Sequence, residues 1–151
     1  MNKEIYELHG ALLDLIGIIN QPHCDNALIQ AAGISLDRAL FPLLVRIERR
    51  GPMGIVELAD LAGRDYTTVS RQVAKLEGLK LVTRRAGKSD ARIREVKVTK
   101  KGLEMTKALD LAREKRIEPI FAKWNKKDRQ NLITLLRRFA DDARIANTPD
   151  Q

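Results

Sequence analysis

Apolar side chains recur along this chain with periods that predict helices at both ends and shorter, more varied elements between them. Residues 3 to 19 set Ile5, Leu8, Leu12, Leu15, Ile16 and Ile19 at helical spacing. Residues 20 to 34 open on a break at Pro22 and are expected to be a loop or a short helix. Ser35 is placed to cap a helix running to about Arg50, where Gly51-Pro52 stops it. Pro42 falls inside that span and cannot donate to the preceding turn, so it should kink the helix or mark a late start. Residues 55 to 62 then form a short helix with Leu58 and Leu61 inward, ended by Gly63. Asp65 can cap a further helix through about Glu77, with Gly78 suited to a left-handed end. Gly102 opens a long helical pattern to about Lys123 with Leu103, Leu109, Ile117, Ile120 and Phe121 apolar, its last turn bent by Pro119. A final helix from about Lys127 to Ile145 carries Leu132, Leu135, Leu136, Phe139 and Ala143.

Two helices joined by a tight turn containing glycine describe a helix-turn-helix, here residues 55 to 77. Val69, Val73 and Leu76 share one side of the second helix and should pack on the first. Thr68, Arg71, Gln72 and Lys75 follow i, i+3, i+4, i+7 on another side, with Thr67 and Ser70 near the start. Hydroxyls, an amide and cations in one stripe can bond phosphates and base edges in a major groove, although a single polar helix face is by default a solvated one. The segment after the helix favours nucleic-acid contact over simple solvation. Residues 81–85, LVTRR, and 93–98, IREVKV, alternate as two strands around the tip AGKSDAR, 86–92, whose Gly87 and Ser89-Asp90 suit a turn. A two-stranded ribbon directly after a helix-turn-helix is a wing, and an arginine at its tip could enter an adjacent minor groove.

Charge sharpens this picture. The net charge is +8, and residues 64 to 101 hold twelve basic against four acidic side chains, while the rest of the chain is balanced. Eight of the nineteen residues in RRAGKSDARIREVKVTKKG, 84–102, are Lys or Arg. A single-sign cluster on a folded segment favours a polyanion such as nucleic acid, or an anionic membrane surface. The membrane alternative lacks Trp or Phe anchors beside the cluster. No apolar run approaches the roughly 18 residues needed to span a bilayer.

Other chemistry is sparse. There is no Gly-rich phosphate loop, no Ser/His/Asp set and no clustered carboxylate pair, so an enzyme is not expected. His9 and His23 are too few for a metal site, even with Cys24 beside His23, and no cofactor is expected. Cys24, the single cysteine, cannot form an internal disulfide and reads as buried and inert rather than redox-active. The opening MNKEIYELHG has acids where an export signal would not, so a cytoplasmic protein is expected. The helices at the two ends lie outside a minimal DNA-binding module; their apolar faces serve either a monomer core or a dimer interface.

With this order of elements, the chain resembles the MarR family of bacterial transcription regulators over nearly its whole length. The resemblance is carried by Glu57-Leu58-Ala59, Val69-Ser70-Arg71, Leu76-Glu77-Gly78-Leu79, Asp90-Ala91-Arg92 and Val98-Thr99-Lys100-Lys101-Gly102, in the family's order and spacing. The chain departs from the family at Lys88-Ser89, where acidic residues or proline are common, and at Pro42. The resemblance implies a mainly α fold with a small β wing, a winged helix-turn-helix with N- and C-terminal dimerisation helices. Residues 1–151 would be a single MarR-type domain, with 36–101 the DNA-binding lobe and 1–20 and 102–146 the dimerisation helices. It implies a homodimer on a roughly palindromic operator in double-stranded DNA, with Arg92 in the minor groove and Asp90 positioning the wing. It further implies an effector, since members often respond to small aromatic or phenolic anions bound between the DNA-binding lobe and the dimerisation helices. The expected function is a sequence-specific repressor relieved by such a ligand; the alternative is a nonspecific or architectural winged-helix protein. Candidate base contacts are Thr67, Thr68, Ser70, Arg71 and Gln72. Phosphate contacts fall to Lys75 and to the wing residues Arg84, Arg85, Lys88, Arg92 and Arg94, with Asp90 among the interface residues.

Overall fold

Asn2 starts the first helix by accepting the backbone N–H of Glu4 on its side-chain oxygen at 2.9 Å, satisfying one of the donors a helix N-terminus leaves open. From there the computed structural model describes residues 2–149; the outermost positions of the expected 1–151 domain, and the first of the expected 1–20 helix, lie outside the described residues. The elements are α1 (Lys3–Ile19), α2 (Pro22–Ala32), α3 (Phe41–Arg50), α4 (Ile55–Ala62), α5 (Tyr66–Gly78), β1 (Val82–Ala86), β2 (Arg94–Val98), α6 (Lys100–Phe121) and α7 (Lys126–Ala146). The fold is mainly α with a small β wing, a winged helix-turn-helix flanked by further helices on both sides. Internal contacts divide the chain into a unit ending at Ala112 and a second beginning at Arg113.

The first unit holds the core. Leu43, Leu44 and Ile47 of α3, Leu58 of α4, and Val69, Val73 and Leu76 of α5 are fully buried together with Leu81, Val82, Val96 and Leu109. The spacing of the α5 residues turns one stripe of that helix onto α4, as its apolar period predicts. Burial of each such aliphatic side chain contributes about 1.5–3 kcal/mol. α1 contributes no buried residue.

Two helix ends differ from expectation. Ser35 does not cap α3. The helix starts late, at Phe41, with Pro42 in its first turn, where a missing N–H costs nothing. Residues 37–40 form a separate turn in which the Asp37 side chain accepts the N–H of Ala39 at 2.8 Å and the Asp37 carbonyl accepts that of Leu40 at 2.9 Å. Nor is Gly78 the left-handed residue after α5; it is still helical, and Lys80 takes φ 61° instead. Lys80 N–H bonds to Glu77 O at 2.9 Å and Leu81 N–H reaches back to Leu76 O at 3.0 Å. These are the paired bonds of a Schellman end. Its position is dictated by Leu76 and Leu81, which both enter the core and so fix where the chain must reverse.

The wing is antiparallel, with Val82 opposite Val98, Arg84 opposite Val96 and Arg85 opposite Glu95. Met53 extends it by an isolated bridge to Val96, with N···O distances of 3.2 and 2.7 Å. Thr99 then starts α6, its hydroxyl oxygen accepting Gly102 N–H at 3.1 Å. A Cβ on Gly102 would lie 2.2 Å from Leu81 O and 2.7 Å from Val98 Cγ2, so only glycine fits. Arg49 Nη2, at the end of α3, lies 2.6 Å from Asp110 Oδ1 on α6.

In the second unit Asn125 caps α7 by accepting the Asp128 N–H at 2.8 Å. The rings of Phe121 and Trp124 lie tilted at 57° to one another with centroids 6.1 Å apart. No residue of α7 is buried, and Ile133, Leu135, Leu136 and Phe139 are exposed.

Two substitutions at the α5–wing–α6 junction have opposite expected signs. Gly102→Ala should destabilise the protein by about 1–3 kcal/mol, because the clash is with backbone. Lys80→Gly should stabilise it by about 1 kcal/mol by relieving the left-handed residue. Urea denaturation of both variants checks this; equal midpoints would show that neither contact constrains the junction.

Candidate nucleic-acid interface

The second helix of the helix-turn-helix, α5, follows a three-residue turn, Gly63-Arg64-Asp65, after α4. Gly63 adopts φ 63°, the left-handed conformation that ends α4. Asp65 then caps α5 twice through one neighbour. One carboxylate oxygen accepts Thr68 N–H at 2.9 Å and the other accepts the Thr68 hydroxyl at 2.6 Å. These two bonds hold the Asp65 carboxyl below the usual carboxylate range, with the charge of Arg71 adding a smaller share.

With Val69, Val73 and Leu76 fully buried, the opposite side of α5 is turned outward. Thr67, Arg71 and Lys75 are exposed, while Thr68, Ser70 and Gln72 are half-buried. The six candidates are therefore not equivalent. Thr68 spends its hydroxyl on Asp65. Gln72 Oε1 accepts from Arg64 Nη1 at 2.9 Å, and the same nitrogen donates to Ala39 O at 2.9 Å. The open stripe is centred on Thr67, Arg71 and Lys75, with Ser70 at its margin.

The wing sorts its charge in a similar way. Arg84 Nε lies 3.5 Å from Glu77 Oε2, and Arg85 Nη2 lies 3.6 Å from Glu95 Oε2; both arginines are half-buried. These two hold the ribbon to the end of α5 and strand to strand. Lys88, Arg92 and Arg94 are exposed around the tip. There Gly87 N–H bonds to Ile93 O at 2.8 Å and Ile93 N–H to Asp90 O at 3.1 Å. Asp90 Oδ1 accepts Arg92 N–H at 3.0 Å and stands 3.8 Å from Arg92 Nε. The Arg92 side chain is 95% exposed, so that ion pair restrains it little. Asp90 shapes the turn, and Arg92 projects from it.

Several residues of this surface carry no signal in the sequence pattern. Tyr66, 55% exposed in the first turn of α5, stands beside Thr67, and Val56 of α4 is exposed as well. Arg64 counts only as charge in the sequence, because its partners lie 25 residues before it and 8 after it. Arg46 of α3 donates through Nε to Leu61 O at 3.3 Å. Burial and the neighbouring Arg64 charge push its pKa down, so two guanidiniums share the α3–α4–α5 junction. Among the described residues no group of three or more His, Cys, Asp or Glu is arranged to hold a metal. Cys24 is buried, its thiol 3.7 Å from Gln21 Oε1. Among the described residues no helix is long and apolar enough to cross a membrane.

Residues 36–102, from the approach to α3 through the first turn of α6, match a protein-family profile described as HVO_A0114. An uncharacterized HTH-type transcriptional regulator, YxaD of Bacillus subtilis (strain 168), is 33% identical over 105 residues, covering 70% of this chain and 73% of that protein. The crystal structure of MarR is similar with a TM-score of 0.68 at 25% identity, covering 87% of this chain and 90% of the other. A MarR family protein from Bacillus stearothermophilus shares the fold with a TM-score of 0.71 at 15% identity, over 95% and 98% of the two chains.

The Asp65 cap gives a pH signature. Its folded pKa is depressed, so its contribution is present above the unfolded value of about 3.9 and is lost as pH falls through the folded value. Asp65→Ala should lower Tm at neutral pH. Asp65→Asn, which keeps an acceptor for Thr68 N–H, should lower it less. The gap between the wild type and Asp65→Asn should close as pH falls below about 4. Thermal melts across pH test this, and a gap indifferent to pH would remove the charge from the account.

Proposed function

The chain belongs to the MarR family of winged helix-turn-helix transcription regulators, and from that premise we propose that it is a homodimeric repressor of a palindromic operator. It is a DNA-binding regulator. In the proposed complex each α5 enters a major groove and each wing tip the adjacent minor groove. The observation that carries this is the outward face of α5. Thr67, Ser70 and Arg71 are held at fixed height by the buried Val69, Val73 and Leu76, and the helix runs on into a ribbon that exposes Lys88, Arg92 and Arg94 around its tip.

Within that reading Arg71, Thr67 and Ser70 contact base edges, and Lys75, Lys88, Arg92 and Arg94 contact phosphate or the minor groove. Thr68, Arg84 and Arg85 serve by fixing the helix start and the wing. Pairing of two chains is supported by α1 and α7, each of which carries exposed Ile and Leu and no buried residue. An apolar surface of that extent is costly to leave in water. A dimer bound over its operator blocks access to the DNA beneath it. Release follows when a small aromatic or phenolic anion favours a spacing of the two α5 helices that no longer matches the half-sites.

Selection of bound duplexes from a random pool should enrich an inverted repeat with half-sites about one helical turn apart. Salt-sensitive binding without enrichment would instead identify a nonspecific, architectural protein. On the selected operator, Arg92→Ala should weaken binding to all sequences and reduce the salt dependence by about one counterion per half-site. Arg71→Ala should relax sequence preference at a cost of about 1–3 kcal/mol. Equal losses on all sequences for both variants would remove Arg71 from base readout.

A further inference from the structure

The half-buried arginines of the first unit are Arg46, Arg64, Arg84 and Arg85. The two on the wing are each matched by an acid, Glu77 and Glu95. The two at the α3–α4–α5 junction are not: among the described residues no ion pair includes Arg46 or Arg64. Asp65, next to Arg64 in the chain, is turned to Thr68 and feels the charge of Arg71. Burial, and then the Arg64 charge, push the Arg46 pKa down, the direction expected of a cation held near another cation. Charge held partly out of water in this way is costly until an anion joins it.

The pair is also arranged to hold one. Arg46 Nε donates to Leu61 O at 3.3 Å, and Arg64 Nη1 donates to both Ala39 O and Gln72 Oε1 at 2.9 Å. Those bonds fix each guanidinium by one edge. They leave both Nη nitrogens of Arg46, and Nε and Nη2 of Arg64, to donate elsewhere. None of these is shut away from solvent, since the buried nitrogens without a partner belong to Arg84, Arg85 and Arg129. Paired N–H donors in a fixed plane match the oxygens of a phosphate.

We propose that Arg46 and Arg64 together bind one phosphate group, and that its source is the DNA backbone passing the turn between α4 and α5. In a helix-turn-helix the start of the second helix meets base edges and the first helix crosses the backbone, so the turn joining them lies beside a strand of phosphates. The DNA source rests on the operator-binding reading above; the anion site does not.

Neutral methylphosphonate links, placed one at a time in the selected duplex, test the source. Wild type should bind about tenfold less well when the link occupies one particular position of each half-site. Arg46→Gln and Arg64→Gln should lose sensitivity at that position and keep it at every other contacted one. Arginines that only tie the junction would lower affinity and leave the pattern of sensitive positions unchanged. Thermal melts with orthophosphate, against chloride at equal ionic strength, form the second arm. Wild type should gain about 2–4 °C more than either glutamine variant, and that comparison removes the general effect of phosphate on apolar burial. Loss of sensitivity at the one position establishes the backbone phosphate. A larger orthophosphate gain in wild type with an unchanged link pattern keeps the site and overturns its DNA source. An unchanged pattern with equal gains in all three proteins overturns the proposal. If wild type binds no duplex, the operator-binding reading fails, and the orthophosphate arm alone decides the site. Should a glutamine variant fail to fold, Arg46→Lys and Arg64→Lys keep the charge without the paired donors, and the same position should lose part of its sensitivity.

Discussion

Three consecutive carbonyls at the end of the recognition helix hold the DNA-binding parts of this molecule together. Leu79 O accepts from Lys101 Nζ at 3.0 Å, Lys80 O from the Thr99 hydroxyl at 2.7 Å, and Leu81 O from Thr99 N–H at 3.0 Å. The end of α5, the base of the wing and the start of α6 therefore meet at one short segment of backbone. That segment reverses direction through Lys80 because Leu76 and Leu81 must both be buried. Gly102 lets α6 approach the same backbone closely. A left-handed lysine costs about 1–2 kcal/mol, while exposing either leucine would cost about 1.5–3 kcal/mol, so the core decides the geometry.

The consequence for function is rigidity at the base and freedom at the tip. Arg84 and Arg85 reach acids on α5 and on the opposite strand, which ties the ribbon to the helix that precedes it. Lys88, Arg92 and Arg94 lie beyond those ties and remain exposed. A ribbon with all its cations loose would repel itself and wander. One with all of them paired would have no attraction for a polyanion. The division of labour leaves the charge where a phosphate backbone can meet it.

Much of this is legible in the sequence, and the part that is not has a common cause. α1, α4, α5 and α7 follow from apolar spacing, because each turns a stripe of Leu, Ile or Val to one side. The strands follow from alternation and from the turn residues between them. The late start of α3 is hidden because Asp37 holds residues 37–40 in a separate turn through its side chain and carbonyl, and local hydrogen bonds of that kind leave no period to count. Residue type alone favours Gly78 over Lys80 as the helix end, whereas the deciding contact joins Leu76 to Leu81 through the core. Polar stripes are the least legible feature of all. Thr68, Arg71, Gln72 and Lys75 share a helical face by spacing, yet Thr68 and Gln72 are already engaged by Asp65 and Arg64.

That last point separates two kinds of information in a recognition helix. Burial of Val69, Val73 and Leu76 decides which way α5 faces, and it does so with several kcal/mol that no single polar contact can match. It says nothing about what each outward side chain offers. A hydrogen bond contributing about 1 kcal/mol is too weak to move the helix, but it is enough to choose one orientation of an amide over its reverse. Donor and acceptor exchange places when an amide turns over, and base edges differ from one another in little else. The contacts that matter least to the stability of this fold are therefore the ones that set what each outward side chain has left to offer. They come from residues such as Arg64, in the turn, that a pattern along the helix does not include.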